Sequence, residues 1–156
     1  MKSIRVYADT SVFGGVFDEE FEEWATSFFD KVKKGEIELV VSSAVTDELR
    51  DAPEAVTEFF DRIKASLVRF EIGEETYSLQ QAYLESNVVG KKWEVDALHV
   101  AAATVSGCRI IVSWNFKHIV NFKRIPLYNA VNLAQGYGPI AIHTPPEVQF
   151  DDDAED

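Results

Sequence analysis

Three carboxylic acids and one side-chain amide, far apart in the chain, stand where chemistry tends to collect: Asp9, Glu48, Asp96 and Asn115. Asp9 closes a short β-rich run, Ile4 to Ala8, and the Thr10, Ser11, Gly14 and Gly15 behind it read as a loop. Glu48 lies beyond a second such run, Ile37 to Val41, where Ser42 or Ser43 caps a helix whose first turn would hold Asp47 and Glu48. Asp96 opens an alanine-rich helix, and Asn115 follows the short apolar run Ile110 to Val112. Each has an ordinary explanation, since Asp turns chains and acids in a first helical turn suit the dipole. Set together beyond the strand ends of one parallel sheet, they would share one rim. Carboxylates held close raise one another's pKa and need a counter-charge. Mg²⁺ or Mn²⁺ fits, because both prefer carboxylate, carbonyl and water oxygens, and such a site suits phosphodiester hydrolysis.

The elements that must place these groups follow from hydrophobic periodicity. Glu20 to Lys34 reads as an amphipathic helix led by acids and closed by lysines, with Gly35 as its stop. Pro53 restarts a helix over Ala55 to Ser66, and Leu67 to Ile72 reads as a third strand. Glu74 to Glu85 is helical, Asn87 to Lys92 a loop, and Trp93 opens the helix of Ala97, Ala101, Ala102 and Ala103, whose small side chains let it lie close to a sheet. Ile110 to Val112 is then the fourth strand. Phe116 to Val120 reads as a short turn of helix, Ile125 to Gln135 as a last helix, and Ile140 to His143 as a last strand. Alternating strands and helices imply an α/β fold, a three-layer α/β/α sandwich with a mostly parallel sheet of four to five strands. The domain is expected to span residues 1–146, with 147–156 an acidic, frayed tail.

A chain of 156 residues is one domain by length, and 46% hydrophobic with 27% charged residues is an ordinary globular composition. No apolar run reaches the length a bilayer needs, and the N-terminus shows no signal peptide, so no membrane is expected. The lone Cys108 excludes an internal disulfide and implies a reduced, cytoplasmic compartment. The net charge of −12 argues against a generic nucleic-acid binder, but the charge is segregated. Residues 1–87 carry net −10, residues 88–146 carry net +4, and the last ten carry net −6. The positive block holds Lys91, Lys92, Lys117, His118, Lys123 and Arg124. Each reads as solvated surface alone, and together they could hold a backbone phosphate.

Several site types lose their usual marks. A haloacid-dehalogenase-type phosphatase wants a second Asp where Ser11 stands, and a response-regulator receiver wants an acidic pair after the first strand. No glycine-rich fingerprint, P-loop or nucleophile elbow occurs. The ordered set Asp9-Thr10-Ser11, Glu48-Leu49, Asp96-Ala97-Leu98-His99-Val100-Ala101 and Val112-Ser113-Trp114-Asn115 instead resembles the PIN-domain family of metal-dependent nucleases. Within it, the closest likeness is to the toxins of VapBC toxin–antitoxin pairs. The resemblance implies that Asp9, Glu48, Asp96 and Asn115 bind Mg or Mn and carry catalysis. Asn115 stands where the family commonly has Asp, which removes one charge from the cage.

The resemblance also implies a ribonuclease acting on single-stranded or loop RNA, an antitoxin protein as partner, and a homodimer. Thr10, Ser11, His99, Ser113, Lys117 and His118 join the acids as residues that support them or touch substrate. His99 reads as a core or supporting histidine, Ser113 as either an orienter of Asn115 or a plain strand-end serine, and Trp114 as packing. The Asn115 departure keeps a second reading open, a catalytically weak or inactive module acting by protein or nucleic-acid binding. A phosphatase of small substrates is a third.

Overall fold

Strand β1 (Ile4–Ala8) is central because both of its faces are apolar: Val6 and Ala8 point one way, Tyr7 the other, and all three are fully buried. The computed structural model, which describes residues 3–149, places β2 (Ile37–Ser42) and β4 (Ile110–Val112) on either side of it. Outside them lie β3 (Val68–Phe70) and β5 (Ala141–His143), giving the order β3–β2–β1–β4–β5 with every neighbouring pair parallel. The expected α/β sandwich is therefore observed, with five strands and no antiparallel edge. The chain winds outward from β1 to β3, then crosses back beyond β1 to β4. Such a reversal leaves a crevice at the carboxyl ends of the two central strands.

One face of the sheet is covered by α1 (Thr10–Gly14), α2 (Glu22–Lys33), α3 (Ser43–Leu49) and α4 (Glu54–Ile63). Its core is aromatic: Phe13 meets Phe60 edge-on at 5.1 Å, and Phe29 meets Phe59 at 5.0 Å. The other face is covered by α5 (Glu74–Glu85), α6 (Glu94–Val105) and α7 (Ile125–Ala134). Ala97, Ala101, Ala102 and Ala103 are all fully buried, so α6 has almost no solvent face beyond its first turn. That burial carries the N-terminal turn of α6 to the crevice.

Four local readings need correction. Thr10 and Ser11 are not in a loop but begin α1, with Asp9 as its N-cap. Ser42 caps α3, its hydroxyl accepting from Ala44 N at 3.2 Å, so the helix starts at the strand end and lasts only seven residues. Glu48 thus lies in its last turn, not its first. Phe116 to Val120 is a hydrogen-bonded turn without helix, because Ile119 N and Val120 N both donate to the Asn115 carbonyl. Pro145–Glu147 is an ordered 3-10 turn closed by a capping box with Thr144, and Val148 packs into the core. The remainder of the acidic tail lies outside the described residues.

Gly15 shows how tightly the crevice wall is built. A Cβ there would lie 2.5 Å from Trp114 Nε1 and 2.9 Å from its Cδ1, and that indole is stacked on Phe21 at 4.2 Å. Gly15→Ala is expected to lower stability by about 1–3 kcal/mol, the usual penalty of overpacking, as read by urea denaturation. An unchanged midpoint would mean that the Trp114 stack yields freely.

Candidate active site

Asp9 enters the crevice because its backbone joins two strands: it ends β1, and its N–H donates to Val112 O of β4 at 3.3 Å. The carboxylate is only 4% exposed, and each oxygen has a hydroxyl donor. Ser11 Oγ donates to Oδ1 at 2.6 Å and Ser113 Oγ to Oδ2 at 2.8 Å. Both serines have their own lone pairs engaged by backbone donors, Trp114 N on Ser11 and Asn115 N on Ser113. A hydroxyl that accepts a backbone N–H keeps its single proton for another acceptor, so both protons face Asp9. Burial pushes the Asp9 carboxyl above its ordinary value, more than His99 and the two serines pull it down.

Glu48 reaches the same place from α3. Its Oε1 accepts from Thr10 Oγ1 at 2.6 Å and lies 2.6 Å from His99 Nε2. Its other oxygen takes no hydrogen bond among the described residues. His99 is fully buried on α6, with Nδ1 2.8 Å from the Tyr7 hydroxyl, which in turn is 2.7 Å from Ser42 Oγ. A continuous polar chain thus runs from the cap of α3 under the sheet edge to Glu48. Burial alone would raise the Glu48 carboxyl, but the His99 ring and the Thr10 hydroxyl outweigh it and hold it below its ordinary value. Burial alone would lower His99, but its bond to Glu48 and the charges of Asp9, Glu48 and Asp96 raise it. One imidazole therefore feels all three acids, drawn from three separate elements.

Asp96 lies in the first turn of α6, with His118 Nδ1 3.1 Å from its Oδ2. Asn115 lies near enough to the same acid to pull its pKa down. The Asn115 side-chain oxygen accepts from Lys117 N at 3.2 Å and His118 N at 3.0 Å, so the amide nitrogen is the group left to face Asp96. Burial raises Asp96, against the pull of His118 and Asn115, and burial also lowers His118. The His118 ring stacks on Trp93 at 4.2 Å, and Tyr128 OH donates to its carbonyl at 2.9 Å.

Nine of the ten residues singled out from the sequence have side chains in these contacts, in three neighbouring groups about Asp9, Glu48 and Asp96: Asp9, Thr10, Ser11, Glu48, Asp96, His99, Ser113, Asn115 and His118. Lys117 contributes a backbone N–H there, and its ammonium lies 5.9 Å from the Trp93 ring centroid. Sequence reasoning missed Tyr7, Ser42 as a hydrogen-bond partner, and Trp93. A tyrosine in the middle of a buried strand is itself a signal, because its hydroxyl must find a partner. Trp114 packs against Phe21 and is 9% exposed, the role expected of it.

The donor set suits a hard divalent cation in kind: three carboxylates, of which Asp9 and Asp96 are destabilised as anions by burial. In this arrangement the acids lean on histidines and serines. Among the described residues, no three His, Cys, Asp or Glu side chains are already gathered as a cage.

No protein-family profile and no curated protein sequence matches the chain. Among solved structures it is similar to VapBC2 from Rickettsia felis bound to a DNA fragment from their promoter, with a TM-score of 0.60 and 15% identity. The superposition covers 90% of this chain and 98% of that one. At this identity the likeness is one of fold.

Tyr7→Phe tests the buried polar chain. It removes one hydroxyl and leaves Ser42 Oγ and His99 Nδ1 facing an apolar ring. Unfolding free energy is expected to fall by about 1–3 kcal/mol, the cost of an unmet buried polar group, measured by urea denaturation. A neutral result would place Tyr7 outside the network.

Proposed function

We propose that this rim is a metal-dependent ribonuclease site on a PIN-like fold, and that the chain is the toxin of a toxin–antitoxin pair, with an antitoxin protein as its partner. The observation that supports the reading is that Asp9, Glu48 and Asp96, from three separate elements, all act on His99, with Glu48 2.6 Å from its Nε2. The fold likeness to a toxin–antitoxin protein supports it, as does the net +4 of residues 88–146. A homodimer and a cytoplasmic place go with the same reading. No helix among the described residues is long and apolar enough to cross a membrane.

Asp9, Glu48 and Asp96 would hold Mg²⁺ or Mn²⁺, with Asn115 at the edge of the set. When bound, the ion supplies positive charge to phosphate oxygens and makes water a better nucleophile. The chain's own residues do the rest. Ser11 and Ser113 fix both Asp9 oxygens, Thr10 and His99 aim one Glu48 oxygen and leave the other open, and His118 with Asn115 restrains Asp96. A binding-only reading has one observation in its favour: the Asn115 oxygen already accepts two backbone N–H groups, so it is a poor metal ligand as it stands.

Calorimetry with Mn²⁺ and cleavage of unstructured RNA separate these readings. Wild-type protein is expected to bind Mn²⁺, gain thermal stability with it, and cut RNA. Asp9→Asn, which removes a carboxylate from the set, is expected to lose most of the Mn²⁺-dependent gain in melting temperature and all of the cleavage. Cleavage that survives Asp9→Asn belongs to a contaminant, and an RNA-inert, metal-blind wild type supports the binding module. The phosphatase reading predicts turnover of phosphomonoesters and none of RNA.

Asn115→Asp tests the edge of the set. An added negative charge beside Asp96 is expected to tighten Mn²⁺ binding about 10-fold or more and to lower the metal-free melting temperature. Unchanged Mn²⁺ affinity by calorimetry would show that position 115 does not sense the ion.

A further inference from the structure

Trp93 sits one helical turn before Asp96 and is used by none of the contacts that hold the acids. One face of its indole lies against the His118 ring, at 4.2 Å and 25°, and His118 contacts Asp96. Trp93 remains 36% exposed. The ammonium groups of Lys92 and Lys117 lie 5.2 Å and 5.9 Å from its ring centroid. Neighbouring Lys91 is paired with Glu94 at 3.1 Å, whereas Lys92 and Lys117 have no acidic partner among the described residues. The other tryptophan of this region, Trp114, is 9% exposed and committed to the Phe21 stack. Beside the acidic rim there is thus an open indole, less exposed than Phe116 and Phe122 but the one with two ammonium groups over its ring among the described residues.

We propose that Trp93, flanked by Lys92 and Lys117, is a stacking platform that binds an unpaired nucleotide of a single-stranded RNA next to the rim. The proposal rests on the ribonuclease reading for where the strand is cut, not for its being bound. Every base offers a π face, so an indole holds unpaired bases with little regard to sequence. A duplex hides those faces, so the platform favours single strands. Lysines poised over an aromatic ring gain modestly from the ring quadrupole, and their flexible stems let them turn to phosphates when a base arrives. Lys92 and Lys117 come from separate segments, one before α6 and one after β4, so each can take a phosphate of its own. The His118 ring, backed by Asp96 and by the Tyr128 bond to its carbonyl, keeps the indole in place. Screening over a Debye length of about 8 Å leaves the chain's negative total little say at this ring, where Lys92 and Lys117 are the nearest cations and Lys91 already pairs with Glu94.

The test is fluorescence anisotropy with a labelled unpaired RNA 10-mer and the same sequence in a duplex, on full-length Asp9→Asn protein so that nothing is cut. The single strand is expected to bind at least about 10-fold tighter than the duplex. Trp93→Leu, which keeps apolar bulk but no π face, should weaken binding about 10-fold or more, and Trp93→Phe should restore most of it. Lys92→Ala with Lys117→Ala should flatten the dependence of log Kd on log salt by about 1.4, two phosphates at ~0.7 each. In otherwise wild-type protein, Trp93→Leu should raise KM with little change in kcat. Equal affinity for Trp93→Leu and the parent, or equal affinity for duplex and single strand, overturns the platform. Failure of the two readings is separable. Trp93-dependent binding without cleavage by wild type removes the nuclease and keeps the platform, while cleavage with an unchanged KM in Trp93→Leu does the reverse. An equal response to a DNA 10-mer would still support stacking and place the RNA preference elsewhere.

Discussion

The Asp9 carboxylate is the constraint that the rest of the rim answers to. A carboxylate that is 4% exposed is costly unless its oxygens are paired, and both are. The pairing draws on Ser11 after β1 and Ser113 after β4, so it is satisfied only when those two strands lie side by side in the observed register. Backbone N–H groups of Trp114 and Asn115 complete the serines, which fixes the path of the chain leaving β4. That path delivers Asn115 to Asp96 and His118 to the same acid. One buried charge therefore specifies the strand pairing, the following turn and the approach of a second acid.

Glu48 and Asp96 solve the same problem differently. Each rests on an imidazole, His99 for the first and His118 for the second. The two imidazoles are not equivalent. His99 is fully buried, yet its bond to Glu48 and the charges of the three acids raise its pKa. His118 stacks on an indole, and burial lowers its pKa against the pull of Asp96. The two acids are thus held by imidazoles that their surroundings shift in opposite directions. Glu48 has one oxygen committed and one without a partner among the described residues, which is the geometry of a group able to gain a ligand without losing its anchor.

Much of this was legible in the sequence because it rests on local chemistry. Strands β1 and β4 were read with their observed bounds, since apolar runs bracketed by polar residues leave little choice. The four rim positions followed from where strands end. What the sequence hid was set by tertiary contact. Glu48 was placed one helical turn too early in its element, because a seven-residue helix between a capping serine and Pro53 has no periodicity to measure. Thr10 and Ser11 have turn-forming composition, yet Asp9 as a cap and the packing of Val12 and Phe13 make them helical. Tyr7 looked like one more apolar strand residue, although its hydroxyl joins Ser42 to His99. Pro145 and Val148, which resembled the start of a frayed end, are tied down by the Thr144 capping box and by Lys31 Nζ donating to Val148 O.

The tryptophans show why composition cannot assign such roles. Trp24 and Trp93 are both open to solvent, and Trp114 is not, yet nothing in the local sequence separates them. Trp114 is fixed by Gly15 and Phe21, which lie about a hundred residues earlier in the chain. Trp93 is fixed by His118, and its two ammonium neighbours come from either side of α6 and β4. The same distance argument resolves the charge. A total of −12 would repel a polyanion if it acted at long range, but screening confines each charge to its surroundings. The acids of α2 lie on the opposite face of the sheet from α6, while the unpaired lysines lie at Trp93. What a strand meets on reaching the rim is set by near neighbours, two ammonium groups over the Trp93 ring and the carboxylates beyond His118, more than by the total.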